Sequence, residues 1–234
     1  VLVTRLALTG LWGGLMALER RAFLQAMVSR PLVAATVTGL LLEDALAGLY
    51  VGLVFELLHL GGASLGTAQA DHDTLPAVAG AAFACEMGAA AGTHATPPMW
   101  ALAVLVAMPL GAVGRRLEAR LDERARKYFG RAVTAVDAGN VASAARQNLR
   151  AMWPQFVFYG LACVAVALAG RVLGPVEQTL PPALMRGLAW AYPAMGCAAA
   201  AMAVHGSHAR RRFLAAGVAA TAVALIGLAV WVRT

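Results

Sequence analysis

Apolar residues arrive in long blocks along this chain, separated by short polar stretches, at about 1–17, 32–60, 77–93, 99–113, 155–172, 183–204 and 213–232. Several blocks reach the roughly 20 residues that a helix needs to cross a hydrocarbon core. None shows the short alternating segments of a membrane barrel. The pattern predicts an all-α, polytopic membrane protein of about six to eight membrane segments. Residues 32–60 are too long for one helix and short for two full spans, and they carry Glu43, Asp44 and Glu56. A re-entrant or broken-helix hairpin turning near Glu43-Asp44 fits this block, with Gly39, Gly48 and Gly52 permitting close helix approach. Two short spans joined by an exposed Glu43-Asp44 loop is the alternative.

Composition agrees, with 60% hydrophobic and 13% charged residues, against about 45–50% and about 25% for a soluble domain. The net charge of +7 sits in the connections between apolar blocks, which reads as membrane topology and not as a nucleic-acid surface. Residues 114–153 hold nine Lys or Arg, and Arg210, Arg211 and Arg212 follow His208; both stretches are expected on the cytoplasmic side. Arg171 and Arg186 flank the opposite turn and count against this orientation. The expected division is a membrane region over 1–113, a cytoplasmic amphipathic connection over 114–153, and a second membrane region over 154–234. Leu117, Leu121, Ala125, Phe129 and Val133 give the connection its apolar face, and Asp137-Ala138-Gly139-Asn140 breaks it.

The first block passes directly into Leu18-Glu19-Arg20-Arg21 without a small-residue cleavage site, so it is expected to remain as a membrane segment. Cys85, Cys163 and Cys197 show no pairing or metal-ligand spacing and are expected as buried small hydrophobes. No metal or other cofactor is expected.

Carboxylates in apolar sequence are expensive to retain and point to a site. They are also strong acceptors for the hydroxyls of a neutral sugar. Glu56 is the first candidate, with a salt bridge to Arg30 as its structural alternative. Asp44 reads either as a ligand or as a helix cap. Gln25 and Glu19 offer contacts from the preceding loop, while Arg30 and Pro31 are expected to fix the entry of the hairpin. His72 and Asp73 form a further polar cluster with Asp71, which also reads as a solvated loop. Glu86 is either a second cavity group or a partner for another subunit.

Leu18-Glu19-Arg20-Arg21-Ala22-Phe23-Leu24-Gln25 followed by Ser29-Arg30-Pro31-Leu32-Val33-Ala34 resembles the start of the IIC component of the mannose, fructose and sorbose family of bacterial sugar phosphotransferase systems. Gly39 to Asp44 with Gly48-Leu49 resembles that family's GLxLGDxxxGL. Phe55-Glu56-Leu57-Leu58-His59-Leu60-Gly61 resembles its LELxxLG, and Gly66 through Thr74-Leu75 its GxxxPPDxTL. The match is closest over residues 19–75 and fainter through Ala138-Gly139-Asn140 and Met195-Gly196. Two positions depart from the pattern: Glu43 replaces the glycine before the aspartate, and Ala70-Asp71-His72 replaces Pro-Pro-Asp.

The resemblance implies a subunit of the bacterial inner membrane that pairs with a IID membrane subunit. It would carry a hexose inward while cytoplasmic IIB and IIA phosphocarriers supply the phosphate, with no catalytic residue of its own. A homo-oligomer is also expected. Two other classes stand beside this reading. One is a non-transporting scaffold that still pairs with IID, suggested by the altered positions. The other is a membrane-embedded hydrolase using His59, His72 and nearby aspartates, for which no HExxH, GxSxG or phosphate-loop spacing is present.

Overall fold

The computed structural model describes residues 1–60, 71–177 and 179–205. The apolar block at 213–232, the arginines after His208 and part of the GxxxPPDxTL stretch lie outside these residues. The described chain is helical throughout, with no strand: α1 (Leu2–Glu19), α2 (Pro31–Leu41), α3 (Ala45–Leu60), α4 (Thr74–Ala91), α5 (Pro97–Ala107), α6 (Leu110–Asp137), α7 (Val141–Glu177) and α8 (Pro182–His205).

Local chemistry sets the boundaries. Pro31 occupies the first turn of α2, and Pro97-Pro98 opens α5, where a missing N–H leaves no bond unmade. Gly92 ends α4 in the left-handed region at φ 77°. Gly139 does the same after α6 at φ 73°, and the Asn140 side chain then accepts from Ser143 N at 2.9 Å to start α7. The break expected at Asp137–Asn140 is therefore present. Helix α7 continues across Pro154 and Pro175.

Among the described residues, four stretches are long and apolar enough to cross a membrane: α4, the run Pro97–Asp137, α7 and α8. The block at 32–60 is split, as expected, into α2 and α3 of 11 and 16 residues. Neither reaches the roughly 20 residues of a full span. They fold back on each other through Leu42-Glu43-Asp44, where Asp44 N donates to Gly39 O at 2.8 Å. Contact is backbone on backbone: a Cβ on Gly48 would lie 2.3 Å from Ala35 O, and one on Gly39 would lie 2.5 Å from Asp44 O. Between apolar helices in lipid, such van der Waals proximity replaces the hydrophobic driving force available in water.

This hairpin packs on α4, which also touches α1, α5 and α7. Every α4 residue from Thr74 to Gly88 is buried. The face is made mainly of Ala and Gly, so neighbours approach closely. Helix α8 is held more loosely, at α3 and α5, by a cluster of Tyr50, Trp100 and Tyr192 with ring centroids 4.4–6.1 Å apart. Tyr192 OH donates to Tyr50 O at 3.0 Å. All three cysteines are free. Cys85 and Cys163 are buried as expected, whereas Cys197 is exposed on the outer side of α8.

Candidate functional site

Glu56 and Asp44, two of the acidic residues singled out in the sequence, fall at the two ends of the hairpin. At its base, Arg30 precedes Pro31 and its guanidinium pairs with the Glu56 carboxylate. Glu56 Oε2 also accepts from Leu32 N at 3.2 Å, one of the unbonded amides of the first turn of α2. Glu56 is nearly buried, but the Arg30 side chain is 47% exposed. The pair is thus open to its surroundings on the arginine side.

The loop before the hairpin is built on Glu19. Its buried carboxylate accepts from Val28 N at 3.2 Å and Ser29 N at 2.9 Å. This draws the intervening chain into a tight turn in which Leu24, Gln25 and Met27 adopt positive φ. Gln25 itself is exposed, and its amide donates to Arg21 O at 2.9 Å. Glu19 therefore shapes the entry of the hairpin, while Gln25 stands outside it.

At the hairpin tip, Asp44 Oδ1 accepts from Ala47 N at 3.2 Å and so caps α3. Its Oδ2 accepts from Ala95 N at 2.7 Å. One carboxylate thereby ties the tip of the α2–α3 hairpin to the turn between α4 and α5. Glu43 points outward, 88% exposed, with φ 61°. Left-handed backbone strains a residue bearing a Cβ and not a glycine. That is the physical reason for a glycine at this position in the resembled pattern.

Beneath the tip lies a group that sequence reading does not assemble. Arg5 Nε donates to Glu86 Oε1 at 2.6 Å, and its NH1 donates to Leu42 O at 3.0 Å. Arg171 NH1 stands 3.6 Å from Glu86 Oε2. Glu86 is fully buried, so it is neither a bare cavity group nor a hand offered to another subunit. It joins α1, α4, α7 and the hairpin tip. The available signal was that Arg5, Glu86 and Arg171 are isolated charges in apolar blocks, and such charges find partners.

The remaining candidates gather where α4 begins. Asp73 Oδ1 accepts from Thr74 N at 2.9 Å and from Arg20 Nε at 2.7 Å. Arg20 NH1 also donates to Glu118 at 2.5 Å. His72 is fully buried and lies against Tyr159, with centroids 4.5 Å apart. Its Nδ1 accepts from Leu75 N at 3.0 Å, which places the proton on Nε2. Nε2 lies 3.8 Å from Glu118 and has no hydrogen-bond partner among the described residues. Burial, and then the cations Arg20 and Arg21, hold this imidazole well below its ordinary pKa, so it is neutral. Thr74 Oγ1 donates to Ser29 O at 2.8 Å, which fastens the α4 start to the hairpin entry. His59 Nδ1 is engaged by Phe55 O. No cluster of three or more metal-ligating side chains occurs among the described residues.

A hairpin of two half-length helices, lodged among longer apolar helices with carboxylates at its ends, defines a class of protein. It is a polytopic membrane protein with a broken hairpin set inside an apolar helical bundle. Residues 3–232 match the family described as the PTS system sorbose-specific IIC component, and the chain belongs to that family of sugar-transport membrane subunits. No curated protein matches the chain. Two solved structures share the fold. One, described as the structure of a membrane protein, is 20% identical with a TM-score of 0.65, covering 100% of this chain and 95% of the other. The second is the mannose transporter ManYZ in complex with microcin E492, 22% identical with a TM-score of 0.54, covering 99% and 92%.

Proposed function

We propose that this chain is the IIC subunit that carries a hexose inward through the bacterial inner membrane, in partnership with a IID subunit, for phosphorylation by IIB. The observation that carries this reading is Glu56. It is an acidic group on a half-length helix, nearly enclosed by protein, whose one ionic partner among the described residues, Arg30, reaches the open side. Sugar hydroxyls would donate to this carboxylate in competition with Arg30, and such charge-assisted bonds are roughly twice as strong as neutral ones. Arg30 offsets the cost of placing this acidic side chain in apolar surroundings.

Residues 32–75 belong to a mobile core in this proposal, and alternate exposure of a site between broken helices is the physical means of transport. The long apolar helices would anchor it against IID, a role supported by membership of the IIC family and by a structural relative that is a ManYZ transporter. Family membership likewise supports IIA and IIB as the cytoplasmic phosphocarriers.

Replacing Glu56 by Gln tests the assignment, with uptake of labelled hexoses by cells expressing the complete system as the readout. Uptake is expected to fall at least about tenfold, the worth of roughly 1.4 kcal/mol in a charge-assisted contact. Unchanged uptake and unchanged sugar binding by a correctly assembled E56Q complex would remove Glu56 from the site. A second reading, the non-transporting scaffold, is favoured by the engagement of Asp44, Glu56 and Glu86 within the chain itself. It predicts no hexose binding by the wild-type complex either.

A further inference from the structure

Helix α6 and the early turns of α7 enclose a cleft of about 190 Å³. Arg124, Lys127 and Arg131 line it together with Tyr128, Ala151 and Pro154. No carboxylate lines it. Of the acidic residues in the preceding α6 turns, Glu118 pairs with Arg20 and Asp122 with Arg21, and Glu123 is exposed outside the cleft lining. Arg124, Lys127 and Arg131 make no ion pair among the described residues, and Arg131 lies over the Tyr128 ring at 5.8 Å. Three cations converge on one small concavity with an aromatic wall and an apolar floor.

We propose that this cleft binds the phosphate of an acidic phospholipid headgroup. Three observations favour a lipid over other anions. The cleft is too small for a protein element, and its floor belongs to the same α7 turn that bears exposed Trp153, beyond which Phe158 and Leu161 face outward from α7. A headgroup in the cleft therefore leaves its chains beside apolar surface. The rest of α6 is amphipathic, exposing Phe129, Val133 and Val136 between its charges, as a helix lying in the membrane interface does. The cations also lie in the connection that charge bias assigns to the cytoplasmic face, whose lipids attract basic segments. Bound there, the lipid would fasten α6 to the membrane surface against the base of α7.

The test uses the purified full-length protein in detergent, with retention of phosphatidylglycerol and of phosphatidylcholine of the same chain length measured by native mass spectrometry. Phosphatidylglycerol is expected to be retained at least about tenfold more strongly, and the variant R124A/K127A/R131A is expected to bring the two lipids level. A control, R116A/R126A/R146A, removes as much charge outside the cleft and should leave the preference within about twofold. All six side chains are exposed, and equal melting temperatures would establish that both variants are folded. Equal retention of the two lipids, an equal loss in the control, or complete displacement by millimolar inorganic phosphate would overturn the proposal, the last by assigning a free-anion site. Unchanged lipid preference in R124A/K127A/R131A, with lost binding of an acidic protein subunit, would overturn it as well.

Discussion

Helices α4 and α8 have the same mean hydropathy, 1.3 over their most apolar windows, yet 83% of one window is buried in the protein and 6% of the other. Both are rich in alanine. Their difference lies in the polar residues each one carries. Helix α4 has Glu86 in its body and His72 and Asp73 at its start, and each of these residues meets groups from other helices. Helix α8 has Arg186 near its start and Tyr192, and it exposes Leu184, Trp190 and Met202. Apolarity alone does not distinguish a helix wrapped by protein from one that faces lipid or another subunit. A charge within the apolar run does, because only protein can satisfy it at that depth.

If charge pairing makes α4 the centre of the molecule, removing the partner of Glu86 should cause the largest loss. Arg5→Ala leaves a fully buried carboxylate whose remaining cation among the described residues is the more distant Arg171. A loss of about 3 kcal/mol is expected, at the lower end of the range for a broken buried pair. Thermal melting of the detergent-solubilised protein reads it, and adding Glu86→Gln should recover part of the loss. A change well under about 1 kcal/mol would mean that α4 is held by packing alone. Gly170→Ala tests that packing. Its Cβ would lie 2.3 Å from Phe83 O, a clash with backbone that side-chain rotation cannot relieve. About 1–3 kcal/mol should be lost.

The same contrast marks what the sequence made legible. The split of residues 32–60 was readable because its length suits neither one span nor two, and its glycines sit where the two helices touch. Arg30 was readable as a partner for Glu56 because both belong to one short hairpin. Asp44 was open between ligand and cap. Its bond to Ala95 N depends on a turn 51 residues away, which no local pattern encodes. Glu86 and Arg5 are separated by 81 residues, so each read as a lone charge. Arg171 counted against the orientation inferred from basic residues, yet it lies beside Glu86, where an internal partner accounts for its presence. The apolar segment read from 155 begins as a helix at Val141, because the face bearing Ala151 and Pro154 packs on the amphipathic α6.

The N-terminal end of α4 gives a smaller, pH-dependent effect. His72 is neutral in the folded protein, with its pKa well below the unfolded value near 6.5. Below that pH the unfolded chain binds a proton that the folded chain refuses, so stability must fall as pH falls. The slope approaches about 1.4 kcal/mol per pH unit, giving about 1–2 kcal/mol by pH 5. His72→Asn keeps an acceptor for Leu75 N and carries no titratable group. Melting of the two proteins at pH 7.5 and pH 5 should therefore show a steeper decline in the wild type. Arg20, Arg21, Glu118 and His59 are common to both proteins. Parallel declines would mean that His72 takes up its proton without leaving its place beside Tyr159.

The smallest expected effect belongs to α8. Trp190 is 76% exposed, so Trp190→Ala should change the melting of the isolated chain by no more than about 0.5 kcal/mol. Its size nonetheless makes it a strong candidate for contact once the chain is assembled, since tryptophan is enriched among residues that dominate interfaces. Association with a IID subunit, measured by co-purification, separates the two surroundings this face can have. Loss of association with an unchanged melt would place the partner on α8, and an unchanged association would leave that face to lipid. A melt lowered as far as by Arg5→Ala would instead mean that α8 supports the chain from within, and that the difference drawn between the two helices does not hold.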